Sequence, residues 1–183
     1  SPSGRLPISI EARPEDNPAY DNYYVEEPMT KRGHSTLNVT YGEGIFVGYR
    51  GYEKNGVSPL YPFGYGLTYT SFEYSDLMVS EKGDGVDVTL TVTNTGNFDA
   101  AEVVQIYVGE DNPCVARPAK ELKGYDKVFI PKGESAVVTV RLPRSAFAFY
   151  DVDIHDWRIN PGSFTIMVGA SSQDIKLKEH IIL

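Results

Sequence analysis

The hydrophobic residues of this chain follow two different patterns, one on each side of residue 70. Before that point the chain is rich in Pro, Gly, Tyr and Asn and shows no sustained periodicity. From residue 72 onward apolar and polar positions alternate, as in residues 86–93, where three Val and one Leu share one face. A period of two is typical of half-buried strands, so the sequence predicts a β-rich second part.

The second part contains short apolar runs separated by turn signals. Turns are predicted at residues 94–97, 131–134 and 160–162, which combine Asn, Pro and Gly. Strands are predicted at residues 86–93, 103–108, 127–130, 136–142, 147–150, 163–169 and 175–182. The connections are too short for crossover helices, so the strands are expected to pair antiparallel. About seven or eight strands over about 110 residues predict an all-β fold, an immunoglobulin-like or fibronectin type III-like antiparallel β-sandwich.

The first part is predicted to be a long, mostly irregular N-terminal arm. Residues 5–10 have the pattern of a short strand, but Pro14 and Pro18 exclude a regular helix or a central strand after it. Roughly 60 residues without regular structure cannot enclose a core, so the arm is expected to lie on another surface. Its many tyrosines suit that role. We therefore divide the chain into an arm at residues 1–70 and a sandwich at residues 71–183.

Composition limits the classes of partner. Hydrophobic residues make up 41% of the chain, which suits a globular core. Acidic residues outnumber basic ones by 25 to 17, so nucleic acid and anionic membrane surfaces are not expected as partners. No apolar run approaches the ~20 residues of a membrane span. The chain starts at Ser1 without a leader pattern, which we interpret as an internal point of a longer chain, and localisation stays open.

No motif for catalysis or for cofactor binding is found in the sequence. His34, His155 and His180 lack a supporting motif, and both Gly-x-Ser-x-Gly and metal-type ligand spacings are absent. Cys114 is the single cysteine, so it has no disulfide partner in the chain, and we interpret it as a thiol on a surface loop beside Pro113.

The acidic clusters carry no weight as catalytic evidence. Adjacent carboxylates at residues 15–16 and 26–27 point apart in an extended chain, so they do not form a facing pair. Residues 151–156 alternate Asp with other residues but lack the ligand number and the glycine of a calcium loop. We interpret them as a polar hairpin loop that leads Trp157 back into a strand. We predict no catalytic, cofactor-binding or metal-binding residue in this chain.

Glycine and aromatic residues recur at fixed offsets in two segments. Residues 41–52 are Tyr-Gly-Glu-Gly-Ile-Phe-Val-Gly-Tyr-Arg-Gly-Tyr, and residues 59–72 are Pro-Leu-Tyr-Pro-Phe-Gly-Tyr-Gly-Leu-Thr-Tyr-Thr-Ser-Phe. No Lys-Ser/Thr follows the glycines, so they are expected to allow a tight turn or a close approach rather than to bind phosphate. The segments resemble the C-terminal motifs of family 3 glycoside hydrolases of the β-glucosidase type. Further resemblance to that family, in the same order, covers residues 2–7, 15–20, 94–96, 102–107, 120–125 and 157–169.

The resemblance implies the C-terminal region of a retaining β-glucosidase, namely the end of an α/β-sandwich domain and a fibronectin type III-like domain. The partners that it implies are a (β/α)8 barrel with an Asp nucleophile and the α/β-sandwich domain with a Glu acid/base, in the same or a companion chain. These domains would bind the β-glucoside and hydrolyse terminal β-D-glucosyl residues in carbohydrate catabolism, without a cofactor. Both catalytic residues precede the matched segments, so no residue of this chain inherits a catalytic role.

The sequence leaves three functions open. The first is a structural module that packs on the catalytic domains and stabilises them. The second is a carbohydrate-binding β-sandwich that holds polysaccharide; it predicts a row of exposed aromatics on a sheet face, where the strands instead expose mainly Thr, Asp, Lys and Glu. The third is an adhesion sandwich, which the fold alone permits. Two local hypotheses accompany them: Glu43 and Arg50 form a structural ion pair or hydrogen bond, and Asn38 is the acceptor of a glycosylation sequon.

Overall fold

The computed structural model describes residues 1–23, 26–31 and 34–183, and for residues 26–31 and 34–38 it describes the backbone alone. The side chains of Glu26, Glu27, His34 and Asn38 therefore lie outside the description, and the sequon stays a prediction. In the part of the chain that the structure describes, no helix combines the length and the apolar character needed to cross a membrane.

Two antiparallel sheets make up the sandwich, as the sequence predicts. Its strands are β3 (Phe72–Lys82), β4 (Gly85–Asn94), β5 (Ala100–Glu110), β6 (Glu121–Ile130), β7 (Ser135–Pro143), β10 (Ser163–Gly169) and β11 (Ile175–Ile182). The remaining strands are β1 (Glu26–Lys31), β2 (His34–Asn38), β8 (Phe149–Asp151) and β9 (Asp156–Arg158). One sheet of the sandwich has four strands in the order β11-β10-β5-β6, and the other has three in the order β3-β4-β7. All strand pairs in these sheets are antiparallel.

The core lies between the two sheets and follows the alternation in the sequence. Val88 and Leu90 on β4 face Val104 and Ile106 on β5, and all four side chains are buried. Alternate residues of a strand point to opposite faces, so the residues between them on β5 face away from this core. The outer face of the four-stranded sheet is the face on which the arm lies.

The predicted strand at residues 147–150 is wrong in its bounds. A 3-10 turn at Arg144–Phe147 precedes β8, which pairs with β9 in a separate two-stranded hairpin. The turn carries the ring of Phe147 into the core, where it meets Phe164 edge to face at 5.3 Å between ring centroids. Burial of this ring, rather than strand propensity, decides the local backbone. The prediction that a polar loop leads Trp157 into a strand is confirmed, since Trp157 lies on β9.

The arm contains more regular structure than the sequence indicates. Strands β1 and β2 form a hairpin, residues Tyr49–Lys54 form the short helix α1, and 3-10 turns occupy Pro14–Asp16 and Tyr20–Asn22. The sequence did not predict this hairpin, because both strands consist mainly of polar residues and show no alternation of apolar and polar positions.

The predicted strand at residues 5–10 is wrong. Only its two ends pair with residues 61–65: the amide of Leu6 donates to Tyr65 O at 2.8 Å, and Ile10 and Tyr61 form an isolated bridge. Pro7 has no amide hydrogen, so a continuous ladder cannot form between these ends.

Candidate functional site

The arm contacts the sandwich at two buried polar side chains of β5. Gln105 and Tyr107 lie on the outer face of the four-stranded sheet and are almost fully buried. The amide of Gln105 donates from Nε2 to Ala170 O at 2.7 Å and to Gly64 O at 3.1 Å, and Tyr107 donates to Gln105 Oε1 at 2.6 Å. Burial raises the pKa of Tyr107, so its hydroxyl stays protonated as a donor. Gln105 therefore binds both the arm, through Gly64, and the β10–β11 connection, through Ala170.

Gly64 explains the glycine-rich motif at residues 63–67. Its φ of +82° lies in the left-handed region, and an added Cβ would overlap Gln105 Oε1. The backbone of the adjacent Phe63 accepts a hydrogen bond from Ser172 N at 2.9 Å. The expected close approach to another surface is therefore found, and that surface is the sandwich itself.

Aromatic rings of the arm form a stack over the same place. Tyr49, the first residue of α1, stacks on Phe63 with 4.8 Å between centroids and meets Tyr107 edge to face at 6.1 Å. The hydroxyl of Tyr49 accepts the amide hydrogen of Leu122 at 2.9 Å. Here the arm tyrosine combines a large apolar contact with a satisfied hydroxyl.

A buried carboxylate joins the start of the arm to both sheets. Glu102 on β5 is 2% exposed, and Arg5 Nη2 donates to its two oxygens at 2.7 and 2.6 Å. Tyr74 on β3 donates its hydroxyl to the same carboxylate at 2.8 Å. Burial raises the pKa of Glu102, while the charge of Arg5 and the Tyr74 hydrogen bond act in the opposite direction. The carboxylate thus depends on Arg5 to remain charged in this position.

A second ionic cluster holds α1 against the start of β6. Glu121 binds Arg50 at 3.2 Å and Arg117 at 3.2 Å, and Arg117 also binds Glu110 at 2.8 Å. Burial would raise the pKa of Glu121, but Lys123, Arg117 and Arg50 together lower it below its usual value. The carboxylate therefore stays charged and links the arm to the sandwich. One turn further along α1, Glu53 pairs with Lys120 in the same way.

The two motif residues Glu43 and Arg50 each have a partner, but not each other. Glu43 accepts a hydrogen bond from the side-chain amide of Asn22, within the arm. Arg50 reaches across to Glu121 on the sandwich. The hypothesis of a structural contact thus holds for each residue with a different partner, because α1 turns Arg50 toward β6.

The other candidate residues lie apart from this interface. Cys114 is an exposed thiol, as expected for a surface loop, and lies 3.8 Å from Arg158 Nη2. His155 is in the β8–β9 loop with a positive φ of 54°, and His180 on β11 contacts Asp111 at 3.4 Å. Asp16 binds Arg13 within the arm. Among the side chains that the structure describes, no three of His, Cys, Asp or Glu lie together as a metal site.

The residues that hold the arm on the sandwich were not predicted from the sequence. Arg5, Glu102 and Gln105 lie inside segments that resemble the family, but none was identified as a contact. A usable signal existed, since Glu102 and Gln105 interrupt the otherwise apolar run of β5 from Ala100 to Val108. A polar residue at a buried strand position requires a partner, and here the arm supplies it.

Comparison with known proteins agrees with this architecture. Residues 102–172 match the family model described as a fibronectin type III-like domain. The chain is 43% identical to thermostable β-glucosidase B of Acetivibrio thermocellus, over 99% of this chain and 23% of that protein. It is 46% identical to an exo-α-(1→6)-L-arabinopyranosidase of Bifidobacterium breve, over 96% of this chain and 22% of that protein.

Solved structures contain the same fold. The crystal structure of a GH3 β-glucosidase from Bifidobacterium adolescentis matches with a TM-score of 0.87 and 42% identity, over 100% of this chain and 26% of that chain. The chain is thus a fibronectin type III-like β-sandwich with an N-terminal arm. It corresponds to the C-terminal region of family 3 glycoside hydrolases of the β-glucosidase type. It spans less than a quarter of the length of the curated relatives named above.

Proposed function

We propose that this chain is the non-catalytic module of a retaining β-glucosidase, which packs on the catalytic domains and stabilises them. Residues 1–70 end the α/β-sandwich domain and cross to the fibronectin type III-like domain of residues 71–183. The Asp nucleophile and the Glu acid/base come from the (β/α)8 barrel and the α/β-sandwich domain. Those domains also bind the β-glucoside, and no side chain of this chain takes part in bond cleavage.

This proposal rests on a difference between two sides of the arm, one in contact with the sandwich and the other exposed to solvent. One side contacts the sandwich through Arg5, Tyr49 and Gly64. Elsewhere along the arm, large apolar side chains remain exposed to solvent: Ile8, Tyr23, Val39, Tyr41, Ile45, Val47, Leu60, Tyr61, Leu67 and Tyr69. A segment that orders itself on one neighbour and exposes this much apolar surface supports contact with a second protein body.

The names of the relatives support the proposal that sugar specificity is set by domains other than this one. Relatives with 43% and 46% identity to this chain are named a β-glucosidase and an arabinopyranosidase. Regions this similar accompany different named activities, which supports placing the choice of sugar outside this region. Hydrolysis of terminal β-D-glucosyl residues is the activity that we propose for the whole enzyme.

A two-context stability experiment tests the packing role. Tyr41 is 78% exposed, so Tyr41→Ser in the 183-residue chain should change the free energy of unfolding by less than about 0.5 kcal/mol. In a full-length enzyme that carries this region, the same change should cost about 2 kcal/mol, because a tyrosine buried at an interface is lost. Thermal unfolding in both contexts measures the difference.

The matched control is Tyr125→Ser, an exposed tyrosine on the sandwich strand β6. Equal small effects of Tyr41→Ser in both contexts would show that the arm remains in solvent and would contradict the packing role. The non-catalytic role is tested separately with an aryl β-D-glucoside. Turnover by the purified 183-residue chain would contradict it.

A further inference from the structure

A groove lies beside the β8–β9 hairpin, next to the ionic cluster that links α1 to β6. It is lined by the hairpin, the loop at residues 115–118, the start of β6, and Ile45 and Arg50 of the arm. The volume is about 650 Å³, within the range of about 300–1,000 Å³ that is usual for sites of small ligands.

The hairpin presents a pair of aromatic rings to this groove. Tyr150 and Trp157 are cross-strand partners, and their rings meet edge to face with 5.8 Å between centroids. Trp157 nevertheless remains 65% exposed. Cross-strand pairing limits the rotation of both rings, so the hairpin presents a preorganised apolar platform to solvent.

The charged groups around the groove are balanced in sign. Three side chains are cationic and three are anionic: Arg50, Arg117, Lys123, Glu121, Asp151 and Asp153. A charged ligand of either sign would meet like charges here, and a wholly apolar ligand would desolvate these groups without replacing their hydrogen bonds. A neutral ligand with both donors and acceptors avoids both penalties. Sugar hydroxyls each donate and accept, and a pyranose ring also has an apolar face.

Two polar groups of the groove retain hydrogen-bonding capacity. In the described part of the chain, the carboxylate of Asp153 has no hydrogen bond or ion pair, whereas neighbouring Asp151 binds Arg158 at 3.2 Å. Arg50 uses Nη2 for Glu121, whereas its Nη1 has no hydrogen bond to a described residue, and the side chain is 34% exposed. An acceptor and a donor thus remain available at the groove that contains the aromatic platform.

We infer that this groove binds a neutral oligosaccharide, with one pyranose ring stacked on Trp157 and hydroxyls bonded to Asp153 and Arg50. A carbohydrate-binding sandwich was expected to carry a row of aromatics on a sheet face, whereas the structure places this pair on a hairpin outside both main sheets. The groove shares Ile45 with the arm surface proposed above to pack on the catalytic domains. The binding test uses the 183-residue chain alone, so failure of one proposal leaves the test of the other intact.

The sequence offers a direct probe, because Trp157 is the single tryptophan of the chain. Intrinsic fluorescence of the 183-residue chain therefore reports on this groove. Titration with cellotetraose should give a saturable change, and sorbitol at matched concentration should give none. Asp153→Asn should raise the dissociation constant by about three- to tenfold, because an acceptor carboxylate becomes a neutral amide.

Substitution of Trp157 removes the fluorescent signal, so these variants are measured by titration calorimetry. Trp157→Ala should weaken binding at least about tenfold, and Trp157→Phe should restore most of it, because the aromatic face is retained. Tyr125→Ala removes an exposed aromatic outside the groove and should leave binding unchanged. Circular dichroism of each variant should match the parent chain.

Three outcomes would overturn the inference. One is the absence of a saturable response to cellotetraose, and another is an equal response to sorbitol. The third is a Trp157 signal that depends on protein concentration and not on sugar. That result would identify the groove as a contact between copies of the chain.

Discussion

The sandwich and the arm become ordered in different ways. The sandwich encloses its own core, in which residues such as Leu90, Ile106 and Phe164 are fully buried between two sheets. In the arm, Tyr52 is the one large hydrophobic side chain within the described ranges that is buried. The arm instead obtains its order from polar and aromatic contacts with the outer face of a sheet that is already formed.

The contrast shows how a segment without a core gains a defined structure. Apolar burial is non-directional, so the sandwich tolerates shifts in detail as long as the core remains filled. Hydrogen bonds such as that from Gln105 to Gly64 are directional and require a specific approach of the backbone. Each contributes only about 0.5–1.5 kcal/mol net, so the arm needs several of them at once.

The largest effect is expected in the core of the sandwich. Phe147→Ala should lower the free energy of unfolding of the chain by about 3–5 kcal/mol, because it removes a fully buried ring. Urea denaturation followed by circular dichroism measures this loss. Phe129→Ala is the matched control, since that ring is 63% exposed and its loss should cost less than about 0.5 kcal/mol. Similar costs for both phenylalanines would show that burial between the sheets does not decide the stability of the sandwich.

The arm should be most sensitive at its buried ion pair. Arg5→Met should cost about 3 kcal/mol, because Glu102 would be left buried without its cation. Adding Glu102→Gln should recover part of the loss, since the uncompensated charge is removed. A double-mutant cycle in urea measures the coupling. Additive losses would show that the two side chains do not depend on each other.

The same pair should respond to pH in a defined direction. Burial raises the pKa of Glu102 above its ordinary value of 4.5, so the folded chain binds this proton more tightly than the unfolded chain. The associated stability is complete below about pH 4.5 and is lost as the pH rises through the folded pKa. The cost of Arg5→Met should therefore grow toward neutral pH. A cost that is independent of pH would contradict the role of the charge.

A smaller loss of stability is expected at Gly64. Comparison with a second glycine separates the cost of the clash with Gln105 from the cost of a positive φ. Gly64→Ala should cost about 2 kcal/mol, because it combines a left-handed φ with a clash that displaces Gln105. Gly44 has a φ of +57° and open space around its Cβ position, so Gly44→Ala should cost only about 1 kcal/mol. Thermal unfolding of both variants measures the difference. Equal costs would show that Gly64 serves its own turn rather than contact with the sandwich.

Strands in which apolar and polar residues alternate without interruption were predicted from the sequence. A strand in which a bulge breaks this alternation was not. Strands β4 and β10 were predicted within two residues of their bounds, because their alternate residues enter the core. Strand β3 was not delimited, because its register shifts between Ser75 and Met78, where Asp76 has a positive φ. A bulge of this kind moves apolar residues out of phase with a simple period of two.

The sandwich and its antiparallel sheets could be predicted from the sequence alone. These features depend on periodicity and on turn residues, which act over a few neighbouring positions. Three contacts became visible only in the folded chain: Arg5 binds Glu102, Gly64 lies on Gln105, and Trp157 lines a groove with Arg50. Such contacts join residues dozens of positions apart, and the path of the backbone that brings them together leaves no period in the sequence.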